Sequence, residues 1–474
     1  MPPNSRYQPD PKHTQLGAAF FDEVEAANFP DTILRFRNDR WAARVGLDGL
    51  SEAEWLAHFG RFTPLPDNLA HPLALRYHGH QFRTYNPDIG DGRGFLFAQM
   101  RDAQDGRLLD LATKGSGQTP WSRSGDGRLT LKGGVREILA TELLEARGMA
   151  TSKSFSLVET GEKLYRGDEP SPTRSAVLTR LSHSHVRIGS FQRQRALEDD
   201  KALKTLADYC IETYWPTAAD EPDPIVGLYR LIQQAVANMG AGWMAAGFVH
   251  GVLNTDNITI TGESFDYGPW RFQEQFDPAR IAAYFDHSGL YAYARQPESL
   301  HWNLARLAEC LIPLSSLEAI RPAFDEFPAI YSEALAAQTL YRLGVAPMEK
   351  QDGNALTQDF WAAMAETTPA FEQVFFDLVG GADAGRVAVS PQKDLYAHTL
   401  WADVIARLRD AAPRADLAGQ AFWELSAPAD MPLKSVEAIW DKIDQADDWS
   451  GLEEAVAYFR QSGTITPPPD QMIS

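Results

Sequence analysis

Between residues 90 and 190 the chain alternates apolar and polar positions in short runs broken by glycine: Phe95 to Met100, Leu108 to Lys114, Phe155 to Glu159, Lys163 to Arg166 and Ala176 to Leu181. Alternation of period two on this scale predicts strands. Asp105-Gly106 and Thr160-Gly161 predict hairpin turns among them. One segment keeps a different period: Lys132 to Arg147 places Val135, Ile138, Leu139, Leu143 and Ala146 on one stripe with Gly148 as the stop, which predicts a single amphipathic helix set among the strands. After Trp215-Pro216 and the loop from Ala219 to Pro224 the helical period takes over. It predicts helices at Ile225 to Ala246, Leu300 to Leu311, Ala329 to Leu343, Asp359 to Val379, Leu395 to Arg409 and Val436 to Ile443. Glu169-Pro-Ser-Pro-Thr and the tail Thr466 to Asp470 are proline-rich and predict irregular chain. No internal repeat interrupts this order.

Composition narrows the class. The chain has 474 residues, 44% of them apolar and 11% aromatic, enough for one large core or two or three smaller ones. Its net charge of −20 and pI near 5.0 lead away from nucleic-acid partners, which demand a basic surface. No apolar run reaches membrane-spanning length, and Met1-Pro-Pro-Asn-Ser-Arg lacks the apolar core of a secretory signal, so a soluble, cytoplasmic protein is expected, with no membrane partner. The same reading does not exclude an organelle. Two cysteines, Cys210 and Cys310, sit in apolar helical surroundings and read as buried core thiols.

The chemistry concentrates in His250-Gly-Val-Leu-Asn-Thr-Asp256-Asn257, followed nine residues later by Asp266-Tyr-Gly268. A protein kinase writes this region as H-R-D-x-x-x-x-N and then D-F-G, with the first Asp taking the substrate proton and the Asn and last Asp holding magnesium. The spacing from His250 to Asn257 fits, but the base position is Val252, which cannot accept a proton. Asp256 carries the nearest carboxylate that could replace it; a turn or helix-cap role is the competing reading. Asn257 and Asp266 supply hard oxygens of the kind Mg2+ accepts.

Upstream, Gly90-Asp-Gly92-Arg93-Gly94 precedes a strand, where bare backbone amides suit phosphate or ribose oxygens, although a tight turn would also use those glycines. Lys114 ends the next strand, the placement of a phosphate-pairing lysine, with Glu137 and Glu142 on the following helix as possible partners. Periodicity favours Glu142, which lies beside the apolar stripe, while Glu137 lies nearly opposite. Asp126 and Gly127 lie in a glycine-rich loop too polar for core and long enough to suggest a ligand. Arg180 and Arg187 could clamp a terminal phosphate or form surface ion pairs. His183 and His185 lack a third ligand at suitable spacing for a metal.

Several strings in order resemble the selenoprotein O family: Gly-His-Gln-Phe (79–82), Gly-Asp-Gly-Arg (90–93), Lys-Gly-Ser-Gly-Gln-Thr-Pro (114–120), Ser-Gly-Asp-Gly-Arg (124–128), Arg-Glu-Ile-Leu (136–139), the 250–257 string, Phe-Asp-Tyr-Gly-Pro (265–269), and Gln-Pro (296–297) with Trp-Asn-Leu (302–304). The resemblance covers residues 70 to 315. It implies an α+β, protein-kinase-like two-lobed fold with a small β-rich N-lobe and a larger, mainly α C-lobe. Residues 1–70 would form an extension packed on the kinase-like core, 71–195 the N-lobe and 196–474 the C-lobe. The implied activity is protein adenylylation, in which AMP moves from ATP to Ser, Thr or Tyr hydroxyls of acceptor proteins, with the enzyme itself among the candidate acceptors. ATP would bind in reversed orientation, with its γ-phosphate buried.

Carried onto this sequence, the resemblance places Gly90, Gly92, Arg93, Lys114, Asp126, Gly127, Arg180 and Arg187 on ATP. It places Asn257 and Asp266 on Mg2+ (or Mn2+), and makes Asp256 the proton acceptor. It also selects Glu137 over Glu142 as the partner of Lys114, against periodicity. Many members carry a selenocysteine or cysteine near the carboxy terminus for redox control; this chain has no cysteine after Cys310, so that control is not expected. A kinase-like phosphotransferase, UMP transfer from UTP with Mn2+, and a non-catalytic nucleotide-binding scaffold are the alternatives.

Overall fold

The computed structural model describes residues 4–167 and 169–463; the proline-rich tail from Thr466 lies outside them. The architecture is mixed α+β, a β-sheet region followed by a helical part. The strands are β1 (Phe21–Glu23), β2 (Ile33–Arg37), β3 (Leu73–Leu75), β4 (Gly79–Gln81), β5 (Thr84–Asn86), β6 (Leu96–Arg101), β7 (Leu108–Lys114), β8 (Leu129–Thr130), β9 (Lys153–Leu164) and β10 (Thr173–Ser182). The main sheet runs β1-β3-β6-β7-β10-β9-β2, with β8 paired to β10, while β4 and β5 form a separate hairpin. Residues 21–37 thus supply both edges of the main sheet, a role that their weak alternation does not announce.

Three early helices border the sheet: α1 (Asp39–Arg44), α2 (Glu52–Phe59) and α3 (Leu131–Ala146). One face packs Phe95, Phe97, Leu109, Leu111, Phe155 and Val177 against Trp41, Trp55 and Phe59 of α1 and α2. The other face packs Ala176 and Leu178 with Val135, Ile138 and Leu139 of α3. Covering on both faces explains why β7 is buried along its whole length. It also places charged residues of β7 and β10 under α3, where a half-exposed sheet would have left them in water.

The helical part begins earlier than periodicity indicates, with α4 (Ile188–Ala196) and α5 (Asp200–Thr213) ahead of Trp215. The long α6 (Pro224–Ala245) starts as expected, with Asp223 Oδ1 accepting from Ile225 N at 2.9 Å and proline in the first turn. It packs against α7 (Gln296–Leu311), α8 (Leu317–Asp325) and α9 (Phe327–Arg342). Then follow α10 (Lys350–Thr367), α11 (Phe371–Ala382), α12 (Ala384–Val389), α13 (Thr399–Asp410), α14 (Leu433–Ala446) and α15 (Ser450–Ser462).

Three expectations are corrected. Thr160-Gly161 is no hairpin turn: β9 runs through it to Leu164, taking Gly161 at φ +74 as an irregularity inside the strand. The helix expected over Asp359 to Val379 is two helices, because Thr368 adopts a left-handed φ of +42 and Pro369 cannot continue the ladder. The segment from Leu395 begins as a 3-10 turn and becomes α-helical only at Thr399. Asp105-Gly106 does join β6 to β7, with Gly106 at φ +76. Cys210 and Cys310 are free and buried, and burial pushes the Cys310 thiol up to about 12.

Candidate active site

Lys114 and Arg180 are brought together by sheet register. Arg180 on β10 stands opposite Ala112 on β7, two residues before Lys114, so both cations lie on the face covered by α3 and are diagonal neighbours. Glu137 descends from α3 between them. Its carboxylate accepts from Lys114 Nζ at 2.7 Å and from Arg180 at 3.4 Å. Both Lys114 and Glu137 are buried, Glu137 completely.

Glu142, favoured by periodicity, is not the partner. Helix α3 has no solvent face: twelve of its sixteen residues are buried and none of the others is fully exposed. Glu142 lies on the far side and accepts two bonds from Arg460 of α15, at 2.7 and 2.8 Å.

Asp266 enters the cluster from below, 2.8 Å from Lys114 Nζ and 3.2 Å from Arg180. Burial opposes its ionisation, but Lys114, Arg180, Arg93 and Arg187 outweigh that cost and hold its carboxyl well below the usual range. Its backbone is left-handed at φ +60, a conformation aspartate tolerates better than most residues. The preceding Phe265 ring lies under both guanidiniums, 5.7 Å from that of Arg180 and 4.9 Å from that of Arg187. Arg187 also reaches Asp91 at 3.1 Å and the backbone oxygen of Asp256 at 3.0 Å.

Asp256 and Asn257 lie on a single 3-10 turn, Thr255–Asn257, closed by Asn257 N donating to Asn254 O at 2.9 Å. Asn257 Nδ2 donates to Val252 O at 2.9 Å, which leaves the amide oxygen as the end free to meet a ligand. The Asp256 side chain is buried, and its Oδ1 has no hydrogen-bond partner among the described residues. Burial is the main reason its carboxyl is pushed up to about 6, with Arg187 opposing.

The β4–β5 hairpin, not singled out by periodicity or charge, packs directly on this loop. His80 N donates to Thr255 Oγ1 at 2.7 Å, Phe82 N to Asn254 Oδ1 at 3.1 Å, and Gln81 Nε2 lies 3.5 Å from Asp256 Oδ2. Gly79, Gln81 and Asp91 are therefore additional candidates for the site. Their only sequence signal was the Gly-His-Gln-Phe and Gly-Asp-Gly-Arg strings.

The glycine loop packs against Trp121. A β-carbon at Gly90 would meet the Trp121 ring at 2.5 Å and one at Gly92 would meet the Trp121 carbonyl at 2.8 Å, so packing alone requires both glycines. Arg93 is exposed at the loop's end, and its field reaches Asp266. Asp126 and Gly127 have their contacts elsewhere. Asp126 pairs with Arg166 at 2.8 Å, and Gly127, at φ +70, packs on Gly117. Asp126 opens onto a groove of ≈ 720 Å³ shared with Gln118, Arg128, Glu162 and Lys163.

Asn257 and Asp266 fit a hard divalent cation only as part of its shell. Among the described residues no group of three or more His, Cys, Asp or Glu is arranged to hold a metal. Two oxygens from the protein with the remainder from phosphates and water is the arrangement magnesium prefers. No helix among the described residues is long and apolar enough to cross a membrane.

Residues 4–460 match the family described as "Protein adenylyltransferase SelO". Among similar proteins are three named "Protein nucleotidyltransferase YdiU". That of Gloeobacter violaceus is 42% identical over 96% of this chain and 95% of its own length. That of Synechococcus elongatus is 39% identical over 96% and 95%, and that of Synechocystis sp. is 39% identical over 96% and 98%. The chain therefore belongs to the SelO family and is an enzyme of the protein nucleotidyltransferase class.

Proposed function

We propose that the chain transfers AMP from ATP to Ser, Thr or Tyr hydroxyls of acceptor proteins, with ATP bound in reversed orientation and Mg2+ (or Mn2+) held by Asn257 and Asp266. The observation that carries this reading is the pairing of Val252 at the kinase base position with a buried Asp256 whose Oδ1 is unpartnered. A carboxyl pushed up to about 6 is ionised near neutral pH yet basic enough to accept a hydroxyl proton.

Lys114 and Arg180, steadied by Glu137, would grip phosphate oxygens, and Arg187 would lie between that end and the base. The cation, when bound, would neutralise charge on the phosphates and the leaving pyrophosphate. Asp256 would take the proton as the acceptor oxygen attacks the α-phosphorus and the bond to pyrophosphate breaks. Gly90, Gly92, Arg93, Asp126 and Gly127 complete the proposed ATP site; for Asp126 this requires the Arg166 pair to open. Residues 71–195 would be the N-lobe and 196–474 the C-lobe, with residues 1–70 an extension whose β1 and β2 pair onto the edges of the sheet.

The test uses ATP labelled at the α or the γ phosphate, with Mg2+ and an Asp256→Ala control. Label on protein from α alone, lost in the control, is expected. Label from γ would replace the reading by phosphotransfer. No label from ATP, with transfer from α-labelled UTP and Mn2+, would make the enzyme a uridylyltransferase.

A further inference from the structure

The far side of α3 is held by the last two helices. Glu142 is buried at 3% exposure and accepts from Nε and Nη2 of Arg460, at 2.8 and 2.7 Å, across 318 residues of chain. Asn38 Nδ2 adds a third bond to the same carboxylate at 3.3 Å. At the other end of α3, Lys132 pairs with Glu437 of α14 at 2.6 Å. Between these anchors Leu452, Val456 and Phe459 of α15 and Val436, Trp440 and Ile443 of α14 share one core with Val135, Leu139 and Leu143. A β-carbon at Gly463 would lie 3.1 Å from the α-carbon of Ala146, so the two helices meet closely at their ends.

We infer that α15 sets the position of α3, and through it the Lys114–Glu137 pair, with Arg460 as the positioning residue. A helix moves as a rigid rod, and Glu142 lies only about 7.5 Å along the axis from Glu137. A shift that lets Glu142 seek another partner therefore shifts Glu137. Loss of Arg460 supplies the cause: Glu142 is left with Asn38 and with the half-exposed Arg40, whose Nη2 lies 3.7 Å away, and a buried carboxylate stripped of its forked partner is drawn towards that cation and water. The inference rests on the reading of Lys114 as a phosphate-binding lysine.

The experiment compares full-length wild type, Arg460→Met and Arg460→Lys by calorimetric binding of ATP with Mg2+, and by kcat and KM of transfer per binding-competent molecule. Arg460→Met is expected to weaken ATP binding about tenfold and to raise KM with it, and Arg460→Lys to recover part of the loss. A merely structural arginine would lower thermal stability and the number of binding-competent molecules while leaving Kd and KM of the remainder unchanged, and that result overturns the inference. Should Arg460→Met fail to fold, Arg460→Gln is read in the same way. Lys114→Ala separates the two levels. If it leaves ATP affinity unchanged, the nucleotide reading fails; if it weakens binding while the Arg460 variants do not, only the positioning inference fails.

Discussion

Gly79 and Asp256 fit together only because Gly79 has no side chain: a β-carbon there would lie 2.7 Å from Asp256 Oδ1 and 3.0 Å from its Cβ. The oxygen it would strike is the one without a hydrogen-bond partner among the described residues. The β4–β5 hairpin thus closes directly over the carboxylate and covers that oxygen.

Gly79→Ala should therefore impair transfer more than nucleotide binding. A displacement of about 1 Å in a reacting group costs on the order of a hundredfold in rate. The expected result is a fall of that order in kcat with ATP affinity within about threefold of wild type. Single-turnover kinetics with α-labelled ATP would measure it, and equal losses in both quantities would mean that the hairpin supports the nucleotide rather than the base.

Lys114→Met leaves the fully buried Glu137 carboxylate with Arg180, at 3.4 Å, as its one cationic partner among the described residues. Breaking a buried ion pair on one side costs on the order of 3 kcal/mol of stability, and removing a charged donor aimed at phosphate costs about a hundredfold or more in rate. Chemical denaturation and steady-state transfer assays should show both losses. Retained activity would remove Lys114 from the phosphate site.

Restoring the kinase base should not restore kinase chemistry. In the proposed orientation the γ-phosphate is buried away from the acceptor, so Val252→Asp is expected to give no transfer of γ label, alone or with Asp256→Ala. Appearance of γ label in the double variant would show that ATP can also bind in the kinase orientation.

Acid should destabilise the protein through its buried histidines. His13 is buried, and desolvation lowers its pKa from 6.5 to about 4, with Asp110 opposing; burial likewise lowers His183 to about 3. Between these values and 6.5 the unfolded chain binds protons that the folded chain refuses. Stability is thus present above pH 6.5 and lost as the pH falls towards 4, by about 3 kcal/mol for His13. His13→Leu should flatten the pH dependence of urea unfolding over that range by a similar amount. An unchanged slope would mean that His13 is protonated in the folded state.

The sequence by itself determined the local parts of the site. Alternation marked β7 and β10, Gly148 marked the end of α3, and the spacing of His250, Asn257 and Asp266 was readable because one loop and one turn hold all three. It also showed that the kinase base was replaced by valine, a fact of residue identity alone. Tertiary structure decided which groups meet. Periodicity chose Glu142 because it assumes that the apolar side of a helix faces the sheet and the opposite side faces water, but α15, more than three hundred residues later, packs on the Glu142 side and takes Glu142 for Arg460, while Glu137 turns to Lys114. The same limit hid the two strands at residues 21–37 and the seat of the Gly79 hairpin on Asp256, since register and close approach are set by partners distant in the chain. Local patterns encode what one segment prefers; burial on every side, and the pairing of charges within it, exist only once the segments have packed.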